Sequence, residues 1–219
     1  MTIKGVVFDF NGTLFWDTKL HNEAWDIFLE KSGIRLTDQG KVEKIHGKNN
    51  KDIISSLFPG QLAREEISEL SIEKERIYQD LCLKTEMQLA PGAKEFLRFL
   101  MTENIPYTIA TASELGNVNF YFEYLGLNSF FDLSKVICDD GSMLSKPSPQ
   151  IFQRAIAIIG IKERDILIFE DSISGIMAAE NAGVGRIIIV DSNGNDYGRW
   201  NYQKIRNFSE VEKDIFAKD

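Results

Sequence analysis

Four short segments of this chain carry residue types that can act together on a phosphate. The first, Asp9-Phe10-Asn11-Gly12-Thr13-Leu14, follows directly on the apolar run Val6-Val7-Phe8. The others are Thr111-Ala112-Ser113, Lys146-Pro147 and Glu170-Asp171. A carboxylate such as Asp9 can attack phosphorus to give an aspartyl-phosphate. Asp9 and Asp171 are expected to be side-chain ligands of a hard divalent cation, with the Asn11 carbonyl as a backbone ligand and Glu170 supporting the set. Mg2+ suits such a site, because it takes oxygen ligands and typically keeps one or two carboxylates together with water and substrate oxygens. Thr111 and Ser113 offer hydroxyls, and the Ala112-Ser113 turn offers amides, to phosphate oxygens. Lys146 can neutralise both a phosphate and a crowded carboxylate pair. Standing alone, each segment is an ordinary feature: an Asp before a Gly turn, a hydroxyl helix cap, a surface lysine, a solvated acidic turn. Their order and their common place after apolar runs make the joint case.

The elements that would carry these groups are legible. Strand signals occur at Val6–Asp9, Tyr107–Thr111, Lys135–Cys138, Ile166–Phe169 and Arg186–Val190, with helical segments between them. Such alternation predicts an α/β fold, a parallel sheet with helices on both faces, whose carboxyl edge is where open sheets bind ligands. Ser148 with Pro149 opens a helix whose apolar stripe runs from Ile151 to Ile159 and which Gly160 stops. Ser172 caps another, buried through Ile173, Ile176 and Ala179. Pro91-Gly92 opens a third, with Phe96, Leu97 and Leu100 inward. Between Phe15 and Gln88 the pattern is helical without a convincing strand, and Ile67, Leu70, Ile77 and Leu81 share one face of a long charged helix. A helical insert at that sheet edge would sit over the site as a lid.

Composition narrows the classes. The chain has 219 residues, 43% hydrophobic, which fits one large domain or a core with a modest insert. A formal charge of −8 leaves no basic footprint, so neither nucleic acid nor an anionic membrane is expected as a partner. No apolar run approaches the ~20 residues a membrane helix needs. Cys82 and Cys138 show no metal-ligand spacing and read as reduced, buried thiols. The start Met1-Thr2-Ile3-Lys4-Gly5 lacks a signal-peptide pattern, and the expected compartment is the cytoplasm.

The four segments, in this order, resemble the motifs of the haloacid dehalogenase-like hydrolases. Glu170-Asp171-Ser172-x-x-Gly175, with His21 and Trp25 twelve and sixteen residues after Asp9, looks most like the β-phosphoglucomutase and sugar-phosphatase branch. The resemblance implies a Rossmann-like core at 1–15 and 89–219, a helical cap at 16–88, Mg2+ as cofactor, and a phosphoric monoester hydrolase. The substrate would be a small phosphorylated metabolite, a sugar phosphate in the first place, bound by Gly12, Thr13, His21, Trp25, Lys48, Ala112 and Ser113. Catalysis would fall to Asp9, Asn11, Thr111 and Lys146. The chain would be a monomer or a weak homodimer. Two positions depart from the family pattern. Asn11 stands where an Asp usually serves as acid and base, so either turnover is slow, or His21, Glu23 or Asp17 compensates, or Asn11 is an engineered trap for a phospho-enzyme. Asn50 stands where the mutases carry a phosphate-binding Arg, with Lys48 or Lys51 as substitutes. A mutase-like isomerase and a weakly active phosphometabolite binder are therefore the rival readings.

Overall fold

The computed structural model describes residues 2–58 and 60–216. Six strands form one parallel sheet: β1 (Gly5–Phe8), β2 (Tyr107–Glu114), β3 (Ile137–Asp139), β4 (Ile166–Glu170), β5 (Arg186–Val190) and β6 (Gln203–Ile205). Their order in space is β3-β2-β1-β4-β5-β6. The chain leaves β1 toward one edge and later returns to fill the other, so the order reverses between β1 and β4. A crevice opens at such a reversal, at the carboxyl ends of the strands. Register then decides which groups meet there. Phe8 pairs with Phe169, so Asp9 and Glu170, the next residue on each chain, emerge side by side.

β1 and β4 are buried throughout, as central parallel strands covered on both faces must be. Val6, Phe8, Leu167 and Phe169 face one layer, which holds α5 (Ala93–Thr102) and α6 (Leu115–Leu125). Val7, Ile166 and Ile168 face the other, with α7 (Gln150–Ile159) and α8 (Ile173–Asn181). The first layer is strongly aromatic: the Phe8 ring stacks on Phe169 at 5.1 Å and meets Phe96 edge-on at 6.2 Å. Four helices lie between β1 and α5: α1 (Thr18–Glu30), α2 (Asp38–Lys44), α3 (Asn50–Leu57) and α4 (Arg64–Cys82). They share a small core of their own, built on Trp25, Phe28, Leu29, Ile45, Ile53 and Ile54. Among the described residues no helix is long and apolar enough to cross a membrane.

Several elements differ from expectation. β6 carries no sequence signal because only Ile205 of its three residues is buried at the sheet edge. β3 begins at Ile137, two residues late. α7 begins at Gln150, with Pro149 before it instead of inside it. Cys138 is only half-buried. The largest difference is in α4. Its apolar residues Ile67, Leu70, Ile77 and Leu81 are half-buried, while Ser71, Lys74, Tyr78 and Cys82 are buried. The helix is held from two sides, by α1 and α3 and by α6, and its polar stripe points inward between them.

Phe8 sits where the aromatic layer meets the strand that carries Asp9. Phe8→Ala is expected to cost about 3–5 kcal/mol, read from urea unfolding. A loss below about 1 kcal/mol would mean that the layer collapses to fill the gap.

Candidate active site

Lys146 lies at the centre of the crevice. Its Nζ donates to Asp9 Oδ1 at 2.6 Å and to Glu170 Oε1 at 2.5 Å. All three groups are buried, with Glu170 wholly so. The other Glu170 oxygen accepts the Ser172 N–H at 2.7 Å and the Ser172 hydroxyl at 3.0 Å, so both oxygens of this side chain are taken. That same hydroxyl oxygen accepts the Gly175 N–H at 3.0 Å and caps α8, as its sequence predicts. Carboxylate oxygens of Asp9, Glu170 and Asp171 lie within 4.8 Å of one another. Two glycines permit this crowding: a Cβ at Gly12 would overlap the Asp171 carboxylate, and one at Gly175 would overlap that of Glu170.

Three buried carboxylates face one ammonium, and Asp9 and Asp171 reflect the excess. Burial pushes Asp9 up to about 7, with the Glu170 charge adding and Lys146 opposing. Burial, then Glu170 and Asp9, hold Asp171 well above the usual carboxylate range. For Lys146 burial alone would lower the value, but the two partner carboxylates outweigh it and hold the amine above its ordinary range. Such a set offers only hard oxygen donors and lacks positive charge. It fits Mg2+, with Asp9 and Asp171 the side chains that still have oxygens to give.

Asn11 is pinned on every side. Its Nδ2 donates to Asp17 Oδ2 at 2.6 Å and to the Tyr121 hydroxyl at 2.8 Å. Its Oδ1 accepts the Ser113 hydroxyl at 2.8 Å and the Thr111 hydroxyl at 3.3 Å. Asp17 in turn is fully buried and accepts the Gly12 N–H at 3.0 Å and the Tyr78 hydroxyl. Thr111 and Ser113, expected to grip phosphate, thus spend hydroxyls on Asn11, and the Ser113 N–H donates to Thr111 Oγ1 at 3.1 Å.

A cavity separates this edge from the helices above it. Asp9, Asn11, Thr111, Ala112, Ser113 and Asp171 line the lower side. His21, Trp25, Lys48, Asn50 and Lys74 line the upper side. The expected residues therefore converge, with exceptions. Gly12 and Thr13 are buried behind the carboxylates, and the Thr13 hydroxyl donates to Asp171 Oδ1 at 3.4 Å, so both support the acids from below. The Lys48 ammonium is turned back to the Glu43 carbonyl at 2.7 Å. Asn50 Nδ2 donates to Ser71 Oγ at 2.8 Å and Glu75 Oε1 at 2.6 Å. Glu23 is exposed on α1, outside the cavity. Lys74 was missed by sequence reasoning: it is 1% exposed, paired with Glu75, and 5.0 Å from the Trp25 ring. The helical spacing of Ser71, Lys74, Tyr78 and Cys82 is the signal that could have found it. Hydrogen bonds join the upper layer to the lower at two places: from the Asn49 N–H to Ser145 Oγ at 3.1 Å and the Ser174 hydroxyl to the His46 carbonyl at 2.9 Å on one side, and along α4 from the Ser71 hydroxyl to Glu114 Oε1 at 2.6 Å, Gln79 Nε2 to Asn117 Oδ1 at 2.7 Å and Asn117 Nδ2 to Glu75 Oε2 at 2.6 Å.

Comparison with known proteins agrees with this geometry. The sequence profile of the haloacid dehalogenase-like hydrolases matches residues 3–183. A phosphorylated carbohydrates phosphatase of Thermotoga maritima is 25% identical over 198 residues, covering 89% of this chain and 88% of its own. A beta-phosphoglucomutase of Bacillus subtilis is 29% identical over 188 residues, covering 83% and 81%. The crystal structure of a hydrolase of family IA, variant 3, from Entamoeba histolytica superposes with a TM-score of 0.84 at 30% identity, covering 98% of this chain and 97% of that one.

Two outcomes follow from the charges. Without a divalent cation, Asp9 must give up its proton against its surroundings as pH rises. The folded state binds that proton more tightly than the unfolded chain, so stability should fall from about pH 4 to about 7. Mg2+ should therefore raise the melting temperature more at pH 7.5 than at pH 5, and an equal rise at both would contradict this. Asn11→Asp would set a carboxylate against Asp17 at the distance of the present hydrogen bond. It should cost about 3–5 kcal/mol in denaturant unfolding and lower turnover.

Proposed function

Because the chain belongs to the haloacid dehalogenase-like hydrolases, we propose that it is a Mg2+-dependent phosphatase of a small phosphorylated metabolite, with a sugar phosphate as the preferred substrate. The observation that carries this is the buried Lys146 bridging Asp9 and Glu170 beside Asp171, at the carboxyl ends of β1 and β4. Asp9 attacks phosphorus in line, its oxygen–phosphorus bond forming as the bond to the leaving oxygen breaks. Lys146 stabilises charge on the equatorial oxygens, and Thr111 joins it once its hydroxyl turns from Asn11, because positioning and electrostatics dominate phosphoryl transfer. Water then cleaves the aspartyl-phosphate and restores Asp9. Asp9, Asp171 and the Asn11 carbonyl would hold Mg2+, which when bound neutralises charge on the phosphoryl oxygens. Glu170 keeps Lys146 and the Ser172 cap of α8 in place. In this reading the cap spans 16–88, and its cavity face selects the leaving group and excludes bulk water.

Hydrolysis is favoured over phosphoryl isomerisation. A mutase must grip two phosphates of one bisphosphate intermediate. Here Asn50 gives its amide to Ser71 and Glu75, the Lys48 ammonium is engaged with Glu43, and Lys74 is paired with Glu75. No guanidinium faces the cavity among the described residues. The sugar-phosphate preference draws on the Thermotoga maritima relative and on Trp25, whose ring offers an apolar platform beside the polar groups of α4.

With Mg2+, the protein should release inorganic phosphate from at least one member of a panel of sugar, polyol and nucleoside monophosphates. Asp9→Asn should abolish release, and Lys146→Met should lower kcat/KM by about 10²–10³-fold. Release no greater than that of Asp9→Asn across the whole panel would overturn the reading.

A further inference from the structure

Hydrolysis through Asp9 moves two protons. The leaving oxygen gains one as its bond to phosphorus breaks, and the attacking water loses one when the aspartyl-phosphate is cleaved. Asn11 can do neither, since a carboxamide does not exchange protons near neutrality. Its hydrogen-bonding positions are also filled, by Asp17, Tyr121, Thr111 and Ser113. Another group in the cavity must carry the proton.

Few groups qualify. The chain has two histidines, and both line the cavity. His46 is held at about 4 by burial and by the neighbouring His21 and Lys41, and its Nε2 lies 2.9 Å from Asn22 Oδ1. It stays neutral at physiological pH. Lys74 is paired with Glu75, and the Lys48 ammonium is turned to the Glu43 carbonyl. His21 remains. It stands in the first turn of α1, with 17% of its side chain exposed. Its ring lies flat on Tyr78, with centroids 3.8 Å apart and planes 8° from parallel. Its Nε2 faces Asp17 Oδ2 at 3.4 Å. Asp17 is itself fixed by the Gly12 N–H, the Tyr78 hydroxyl and Asn11 Nδ2, so it cannot follow the ring if the ring turns. One imidazole nitrogen is thus committed to a buried carboxylate and the other, Nδ1, is left for a reacting group, an arrangement that sets tautomer and direction together.

We propose that His21, positioned by Asp17, is the general acid and base of this enzyme in place of the carboxyl that Asn11 lacks. The proposal rests on the phosphatase reading above. In the first step the Asp9 oxygen–phosphorus bond forms, the bond from phosphorus to the leaving oxygen breaks, and the Nδ1 proton passes to that oxygen. In the second a water oxygen bonds to phosphorus and gives its proton to Nδ1, while the Asp9–phosphorus bond breaks and phosphate departs. His21 ends protonated, as it began. Asp17 keeps the ring in place and does not exchange the travelling proton. The charged and titratable groups around the ring are Asp17, Tyr78 across its face, Lys74 and Glu75 from α4, and His46 from the loop before α3.

The test compares leaving groups. Wild type, His21→Gln, His21→Gly and Asp17→Asn are assayed with Mg2+ on the best alkyl phosphate of the panel and on 4-nitrophenyl phosphate, whose leaving oxygen needs no proton. His21→Gln should lose about 10²–10⁴-fold on the alkyl phosphate. With 4-nitrophenyl phosphate it should still give a nitrophenol burst near the wild-type rate and then stall as phosphorylated enzyme. Added imidazole should restore turnover to His21→Gly, which only a folded protein with a vacated proton site can show. Asp17→Asn should lower kcat with KM little changed. Equal losses on both substrates without imidazole rescue, or no loss at all, would overturn the proposal while leaving the phosphatase standing. Wild type no more active than Asp9→Asn on either substrate would remove both.

Discussion

A buried ammonium between two buried carboxylates is the constraint on which the rest of this structure turns. Lys146 reaches Asp9 and Glu170 at the ends of neighbouring central strands whose register brings the two acids level. Among the described residues, Lys146 is the one cation their oxygens share, and desolvation of an unpaired carboxylate costs several kcal/mol. The lysine is delivered by the loop between β3 and α7, the acids by β1 and β4, and the hydrogen bonds to Ser172 by the start of α8. Sheet order, strand register and helix capping are therefore all conditions for a single cluster of charges. The cluster still sets three carboxyl groups against one ammonium, an excess of oxygen donors that suits a hard cation.

A second polar network lies just above the first and answers a different need. Asp17, Tyr78 and Tyr121 surround Asn11, and Glu75 binds Asn50 and Asn117 with Lys74 beside it. Within the described residues, no buried side-chain nitrogen or oxygen is left without a partner. A network satisfied to that degree fixes geometry, since moving one member strands the others. Asn11 is accordingly better understood as part of a rebuilt polar centre than as a lesion in an acid–base pair. The carboxyl group nearest that position is Asp17, one short loop further along the chain.

Much of this was legible in the sequence because it depends on local pattern. β5 falls where its unbroken apolar run begins and ends, and Ser172 caps α8 as its position predicts. The convergence of Asp9, Glu170 and Asp171 follows from strand ends, and Lys146 joins them from the loop between β3 and α7. What escaped depends on partners distant in the chain. The pinning of Asn11 needs Tyr121, 110 positions away. The inward polar stripe of α4 escaped because hydrophobic periodicity locates the apolar face, and here that face is only half-buried. Gly12 and Thr13 were expected to face substrate, whereas both lie against the Asp171 carboxylate, Gly12 by close approach and Thr13 through its hydroxyl. β6 was too short and too polar to register.

Two of the contacts that join the cap to the core, both beside the carboxylate cluster, have a consequence for how such a protein can diversify. The Asn49 N–H is fastened to Ser145, next to Lys146, and the His46 carbonyl to Ser174, three residues past Asp171. Gly47 lies between them, where a side chain would collide with the Ser172 and Ser174 hydroxyls. The cap therefore behaves as an interchangeable fitting with fixed fasteners. In the proposed phosphatase its inner wall, at Trp25 and Ile53, can be recast for a new leaving group without touching these two joints, so selectivity and bond cleavage can be retuned separately within one chain.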